Sequence, residues 1–278
     1  MLSDRPCCAQ IQGLKTVAAS SAPFLSIVIP AFDEALRIGR SLDRIRQYLS
    51  GRFHAEVIAV DDGSTDHTAR VVAQAAQDWP ALRLLVNERN RGKGFSVRRG
   101  VLQARGHYVL FTDSDLSAPI DQADVLITAL ESTGADAAVG SRALRRDLIG
   151  VHQPLIRQAG GIFFNWTVRL LTGLKLRDTQ CGLKLFRRET TRWAFEQMRG
   201  ERFGFDPELL FLIQRGGGRV LEIPVRWDND PATRFSVLRD TFQSFREVLA
   251  VRWRAWLGQY PAPPCGCVAA DGQASAHE

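Results

Sequence analysis

The chain has 278 residues, 45% of them hydrophobic and 24% charged, with a formal net charge of +6 and a pI near 9.4. That composition excludes an intrinsically disordered chain and suits one substantial domain with at most a small appendage. The basic balance favours an anionic partner, whether nucleotide phosphate, nucleic acid or an acidic lipid surface.

Residues 1–22 and 259–278 read as flexible tails, the first ending in small residues and Pro23, the last Pro-rich and then small and polar. Between them strands and helices alternate. Leu25–Ile29 is a short apolar run closed by Pro30, and Glu34–Leu49 has helical spacing through Leu36, Ile38, Leu42, Ile45 and Leu49. Val57–Val60 predicts a second strand and Thr65–Gln77 a second helix, capped by Ser64 or Asp66. Leu82–Val86, His107–Phe111 and Ala135–Val139 are further strands; Phe95–Ala104 and Ile120–Ser132 are the intervening helices. Short, wholly apolar strands interleaved with helices predict an α/β fold, a mostly parallel sheet covered by helices on both faces.

Such sheets bind ligands beyond the carboxyl ends of their strands. The polar clusters fall there: Asp33-Glu34, Asp61-Asp62-Gly63-Ser64, Asn90 to Gly94, and Asp113-Ser114-Asp115. Two carboxylates spaced i, i+2 at a strand end suit a hard cation, Mg²⁺ or Mn²⁺, whose remaining positions go to phosphate oxygens. Taken alone the pattern equally fits a solvated turn, with Ser117 or Asp121 capping the next helix. Asp61 or Asp62 suits either a nucleobase N–H or a helix cap. Arg91-Gly-Lys93-Gly94 offers cations and backbone amides to phosphate without the order of a Walker loop, and no dinucleotide fingerprint follows the first strand.

The ordered set Pro30-Ala-Phe-Asp-Glu34, Val60-Asp-Asp-Gly-Ser-Thr-Asp66, Asn90-Arg-Gly-Lys-Gly94 and Thr112-Asp-Ser-Asp-Leu116 resembles the motifs of inverting family-2 glycosyltransferases of GT-A fold. Gly140-Ser-Arg142, Asp178-Thr-Gln-Cys-Gly-Leu-Lys-Leu-Phe186 and Gly204-Phe-Asp-Pro-Glu-Leu-Leu210 resemble its polyprenyl-phosphate branch, nearest to the dolichyl-phosphate glucosyltransferases. The resemblance covers roughly residues 24–257. It implies a GT-A domain over 23–232 and an enzyme that moves a hexose, glucose from UDP-glucose, onto a polyprenyl (dolichyl or undecaprenyl) phosphate. Mannosyl transfer from GDP-mannose and a non-lipid acceptor are the alternatives within the fold. It further implies that Pro30, Phe32, Glu34, Val60 and Asp62 line the nucleoside pocket. Asp113, Ser114 and Asp115 then meet the diphosphate and metal, with Lys93 on phosphate and Arg142 near sugar or phosphate. Arg234 is the candidate second cation beside the leaving group. Asp206 orients sugar or acceptor, or caps the following helix. Asp33 stands where many members carry Asn, and Ser117 where the mannosyl branch often carries Gln. In Gln180-Cys-Gly-Leu-Lys184, Lys184 is a phosphate candidate and Cys181 a buried thiol.

No stretch reaches the roughly 18 consecutive apolar residues of a spanning helix, and the first residues lack the order of a signal peptide. The five cysteines frame neither a disulfide scaffold nor a zinc site, although Cys265-Gly-Cys267 suits a metal or an unstructured tail. A cytoplasmic protein, peripheral on the cytoplasmic face of a membrane, is therefore expected. Two stretches suit that surface: Gly161–Leu171, and an amphipathic helix in 233–258, where Leu238, Phe242, Phe245, Leu249, Trp253 and Trp256 recur beside arginines. Packing of that helix on its own domain accounts for the same stripe, and a separate membrane-anchoring partner is compatible with both. Four acidic or Gly-rich clusters on one edge argue against nucleic acid as partner.

Overall fold

The structure, a computed structural model, describes residues 22–151, 155–228 and 237–262. Arg234, Cys265, Cys267 and most of both tails lie outside the described residues. The strands are β1 (Leu25–Ala31), β2 (Ala55–Asp61), β3 (Leu82–Val86), β4 (Tyr108–Thr112), β5 (Ala137–Ser141), β6 (Ile149–Val151), β7 (Leu183–Arg187), β8 (Val220–Pro224) and β9 (Trp227–Asp228). The helices are α1 (Ile38–Leu49), α2 (Thr68–Gln77), α3 (Lys93–Gln103), α4 (Ala123–Thr133), α5 (Leu155–Thr172), α6 (Arg188–Gln197), α7 (Phe205–Arg215) and α8 (Val237–Trp256).

Seven strands form one sheet in the order β3-β2-β1-β4-β7-β5-β8, and β6 pairs with β9 in a small second sheet. All pairings in the large sheet are parallel except those of β7, which runs antiparallel to both β4 and β5. Alternate side chains divide between two helical layers, as the period of two dictates. Leu25, Ile27, Ile29, Val57, Ala59 and Leu110 join Ile38, Leu42, Val72 and Leu126 in one core. Val28, Ile58, Val60, Val109 and Phe111 join Val97, Val101, Phe195, Phe205 and Leu209 in the other. A strand buried on both faces needs an apolar centre, which is why β1, β2 and β4 read so plainly in the sequence.

The chain steps outward from β1 through β2 to β3, then returns to the opposite flank of β1 as β4. That reversal opens a crevice at the carboxyl ends of β1 and β4. Pro30 fits a central strand because β1 pairs with β4 only through Val28↔Phe111, beyond which no ladder donor is needed.

The amphipathic helix α8 lies on the domain. Ser244, Val248 and Val251 are buried, while Leu249, Trp253, Trp256 and Leu257 are exposed one helix face away. The ordered chain continues past it: Tyr260, in the stretch expected to be tail, is buried and donates its hydroxyl to Glu208 at 2.5 Å.

Candidate active site

Three loops and one strand converge on the crevice. The β1–α1 loop is fastened to the start of α2. Asp33, at φ 52°, accepts the N–H groups of Thr65 (2.8 Å) and Asp66 (3.3 Å), and its own N–H reaches Ser64 Oγ at 2.9 Å. Burial works against the Asp33 carboxylate, but these donors hold it below its usual pKa. The negative charge that Asp33 brings where many members carry Asn is therefore spent on loop closure. Asp66, one of the two expected caps, accepts the N–H of Thr68 at 2.9 Å.

Asp62 is turned inward. Its Oδ1 accepts Asn87 Nδ2 (2.7 Å) and the Arg91 amide (3.0 Å), and Oδ2 accepts the Gly92 amide (2.7 Å). A loop rich in glycine must find acceptors for its N–H groups when buried, and Asp62 supplies them. Phe32 is partly exposed and Glu34 is half-buried, while Pro30 and Val60 stand opposite each other in register at the strand ends beneath them. Glu34 forks onto Arg37 at 2.6 and 2.7 Å. Arg91 turns away from the crevice, pairing with Glu201 and stacking 4.0 Å above the Phe95 ring. Lys93 turns in.

At the end of β4, Asp113 and Asp115 flank Ser114, which is buried and whose carbonyl accepts the Ser41 hydroxyl at 2.6 Å. Lys93 Nζ sits 2.7 Å from Asp113 Oδ1. Burial disfavours the Lys93 ammonium, but the charges of Asp113, Asp206 and Asp115 keep it protonated. Asp115 accepts the Ser117 amide at 2.9 Å. Burial, and then the neighbouring Asp113 charge, raise its pKa. The next residue, Leu116, is buried at φ 50°, a left-handed turn that aims the preceding carboxylate.

Two neighbouring carboxylates, Asp113 and Asp115, are hard oxygen donors of the kind that suits a divalent cation. Among the described residues no group of three or more His, Cys, Asp or Glu could hold a metal by itself. The remaining positions would fall to phosphate oxygens, as is usual for Mg²⁺.

The far wall comes from residues 178–184. Asp178 is buried and holds Arg142 in a fork, Nε–Oδ2 2.7 Å and Nη2–Oδ1 2.9 Å, and also accepts the Arg142 amide at 3.0 Å. The guanidinium lies 5.4 Å from the Trp227 ring centre, with Asp113 near enough to add to the upward shift that Asp178 imposes against burial. Glu222 on β8 braces the same wall, accepting the Asp178 amide at 2.8 Å and the Ser141 hydroxyl at 2.6 Å. Gly182 admits the Asp113 carboxylate: a Cβ there would stand 1.9 Å from Oδ2. Cys181 is fully buried, its thiol pushed up to about 11 chiefly by burial, and is chemically quiet as expected.

Lys184 corrects the sequence expectation of a phosphate contact. It is fully buried in β7, 2.7 Å from Asp206 Oδ1 and donating to the Cys181 carbonyl at 2.5 Å. Asp206 lies in the first turn of α7 without capping it; Gly204 holds the cap position. The crevice thus gathers Lys93, Asp113, Ser114, Asp115, Arg142 and, beneath them, Asp206, with the residues expected to line a nucleoside pocket one strand away. Asp178 and Gly182 entered the sequence reading only as members of a motif, with no role of their own, and Trp227 did not enter it. A signal for Asp178 existed, since a partly buried motif arginine such as Arg142 calls for an anion beside it.

Residues 26–192 match the Glycosyl transferase family 2 profile. The chain belongs to glycosyl transferase family 2. It is 37% identical over 223 residues to a dolichyl-phosphate beta-glucosyltransferase of Trichomonas vaginalis, covering 77% of this chain and 66% of that protein. The Dictyostelium discoideum enzyme of the same description is 32% identical over 248 residues, covering 84% and 76%, and the Homo sapiens one 31% over 265 residues, covering 90% and 82%. A glucosyl-3-phosphoglycerate synthase from Mycobacterium tuberculosis, crystallised with Mn²⁺, uridine diphosphate and its glucosylated product, superposes with a TM-score of 0.64 at 20% identity, covering 95% of this chain and 88% of that one. The expected α/β fold of GT-A type is borne out, and the chain is a glycosyltransferase.

Proposed function

We infer that this glycosyltransferase moves glucose from UDP-glucose onto a polyprenyl phosphate of the dolichyl type, with inversion and with a divalent ion held by Asp113 and Asp115. The names of the relatives support the sugar and the acceptor. The geometry that carries the reading is the carboxylate pair of β4 facing Lys93 across the crevice where the strand order reverses.

A phosphate oxygen of the acceptor is anionic at neutral pH and needs no strong base. The demanding step is departure of the nucleoside diphosphate, whose growing charge must be met by fixed cations. The bound divalent ion would supply part of that charge. Lys93 supplies a second positive centre 2.7 Å from Asp113, held protonated by its neighbours. Arg142 keeps Nη1 free of Asp178 while its other donors fix the plane of the guanidinium, so that nitrogen can meet sugar or phosphate. Asp206 acts from below on Lys93, and Asp62 shapes the loop that presents it.

The acceptor lipid is met on α5 and α8. On α5, Asn165 Oδ1 accepts the Thr179 amide and hydroxyl at 3.2 and 3.0 Å, linking the helix to the wall that holds Arg142; the neighbouring Trp166 and Leu170 are exposed. On α8, Leu249, Trp253 and Trp256 stand outward between exposed Arg246 and Arg252. Tryptophans flanked by arginines suit the headgroup layer of an anionic membrane. No helix among the described residues is long and apolar enough to cross a membrane.

The test offers radiolabelled UDP-glucose and GDP-mannose to a short polyprenyl phosphate, with Mn²⁺, with Mg²⁺ and with EDTA. Glucose should enter the lipid fraction only with metal present. Label from GDP-mannose alone, or transfer that survives EDTA, would overturn the reading.

A further inference from the structure

Beneath the carboxylate pair lies a buried cluster in which charges outnumber obvious roles. The Phe111 ring, fully buried at the end of β4, has two ammonium groups near its face: Lys93 Nζ 5.2 Å and Lys184 Nζ 5.4 Å from the ring centre. Between and around them are Asp113, Asp115 and Asp206. Lys93 faces more than one of these carboxylates, being 2.7 Å from Asp113 and within the field of Asp206. Asp206 faces both ammoniums, but only Lys184 touches it, at 2.7 Å.

This arrangement sets up a competition. A buried carboxylate without a partner is costly, and removing one member of a buried pair is far more disruptive than replacing both. Were Lys184 absent, Asp206 would have only one ammonium left to claim, Lys93, and claiming it would draw that side chain down and away from Asp113. Lys184 has no other evident task. It is too deep to meet a ligand, and its further contacts are the Phe111 ring face and a carbonyl three residues back in its own segment, Cys181 O.

We propose that Lys184 is a positioning residue that occupies Asp206 and so leaves Lys93 free to stand at the mouth of the crevice for the donor's diphosphate. The same short segment places the other parts of the site as well. Asp178 fixes Arg142 and Gly182 makes room for Asp113, so residues 178–184 set three functional side chains from one wall. This rests on the reading of the crevice as a nucleoside-diphosphate site.

The experiment measures binding of UDP, with and without Mn²⁺, by titration calorimetry on the full chain, for the wild type, Lys184→Met and the double variant Lys184→Met/Asp206→Asn. Circular dichroism and thermal melting report on the fold of each. Lys184→Met should weaken UDP binding at least tenfold, because Asp206 takes Lys93. The double variant, which removes the competing charge together with its partner, should recover UDP affinity to within about threefold of wild type. A purely structural lysine would move the melting temperature of a folded Lys184→Met without moving its UDP affinity, and that outcome overturns the proposal. So does a double variant that folds and binds as weakly as the single one. If Lys184→Met does not fold, the double variant alone decides. Failure of the wild type to bind UDP would instead sink the underlying reading of the crevice.

Discussion

Gly182→Ala isolates the geometry of the proposed cation site from its chemistry, since neither Asp113 nor Asp115 is removed. The added Cβ would lie 1.9 Å from Asp113 Oδ2 and 2.4 Å from Cγ, whereas ordinary contact begins near 3.4 Å, so the carboxylate must retreat by about 1.5 Å. The backbone cannot easily move instead. The Gly182 carbonyl accepts the Asp113 amide at 3.1 Å, and the next residue is in register with Thr112 in the β4–β7 ladder. Gly182 is outside the left-handed region, so the variant adds bulk without backbone strain. Displacing a reacting or ligating group by about 1 Å costs on the order of 100-fold in rate, and loosening the support of a metal ligand costs roughly 10–100-fold in affinity. Mn²⁺ affinity in the presence of UDP should therefore fall by about 10–100-fold, and kcat/KM by about 100-fold, while the circular dichroism spectrum stays native. Calorimetric titration of Mn²⁺ into protein with UDP provides the measurement. A Gly182→Ala protein that binds Mn²⁺ and UDP as wild type does would refute the placement of Asp113 in the cation site.

Asp115→Ala should abolish metal-dependent transfer, by at least 100-fold in kcat, yet leave the metal-free melting temperature within about 4 °C of wild type, because burial and Asp113 oppose the charge it removes; calorimetry and a transfer assay read the two effects. Glu56 governs acid stability. Burial raises its pKa, but the Ser26 hydroxyl, the Arg105 amide and the cations of Arg83 and Arg105 outweigh that and hold it below 4.5. The folded state then binds fewer protons than the unfolded one, so its contribution is complete above about pH 4.5 and fades as pH falls through the lowered value. Glu56→Gln should cost about 2 kcal/mol at pH 7 and flatten the acid limb of a urea-unfolding pH series; an unchanged limb would count against the assignment. Trp253→Ala/Trp256→Ala should reduce sedimentation with anionic liposomes at low salt without altering glucose transfer to a short, detergent-dispersed acceptor, and equal sedimentation of variant and wild type would remove α8 from the membrane surface.

The strands of the first half were legible because β1, β2 and β4 are buried on both faces and their centres are therefore unbroken apolar runs, Ile27–Ile29 in β1 and Val57–Val60 in β2. The placement of β7 was not. Leu183–Arg187 carries a lysine at a fully buried position, and its insertion between β4 and β5 depends on pairings between distant parts of the chain. For the same reason Lys184 looks from sequence like a ligand for phosphate: its partner Asp206 comes only after α6 and the loop beyond it. The cluster of carboxylates at the strand ends was readable, since parallel strands deliver their termini to one edge. The division of labour within it was not. Nothing in the sequence shows that Asp33 and Asp62 each hold backbone amides of neighbouring loops.

The late arrival of β7 bears on how the protein is made. A chain emerging from the ribosome completes β1 to β4 well before residue 183, and until then β4 has a partner on one side only. Its open flank, Tyr-Val-Leu-Phe-Thr, is an apolar template for pairing with other chains. Fragments ending before β7 should accordingly collect in inclusion bodies, and the crevice cannot take shape until the second half of the polypeptide threads its reversed strand into the gap.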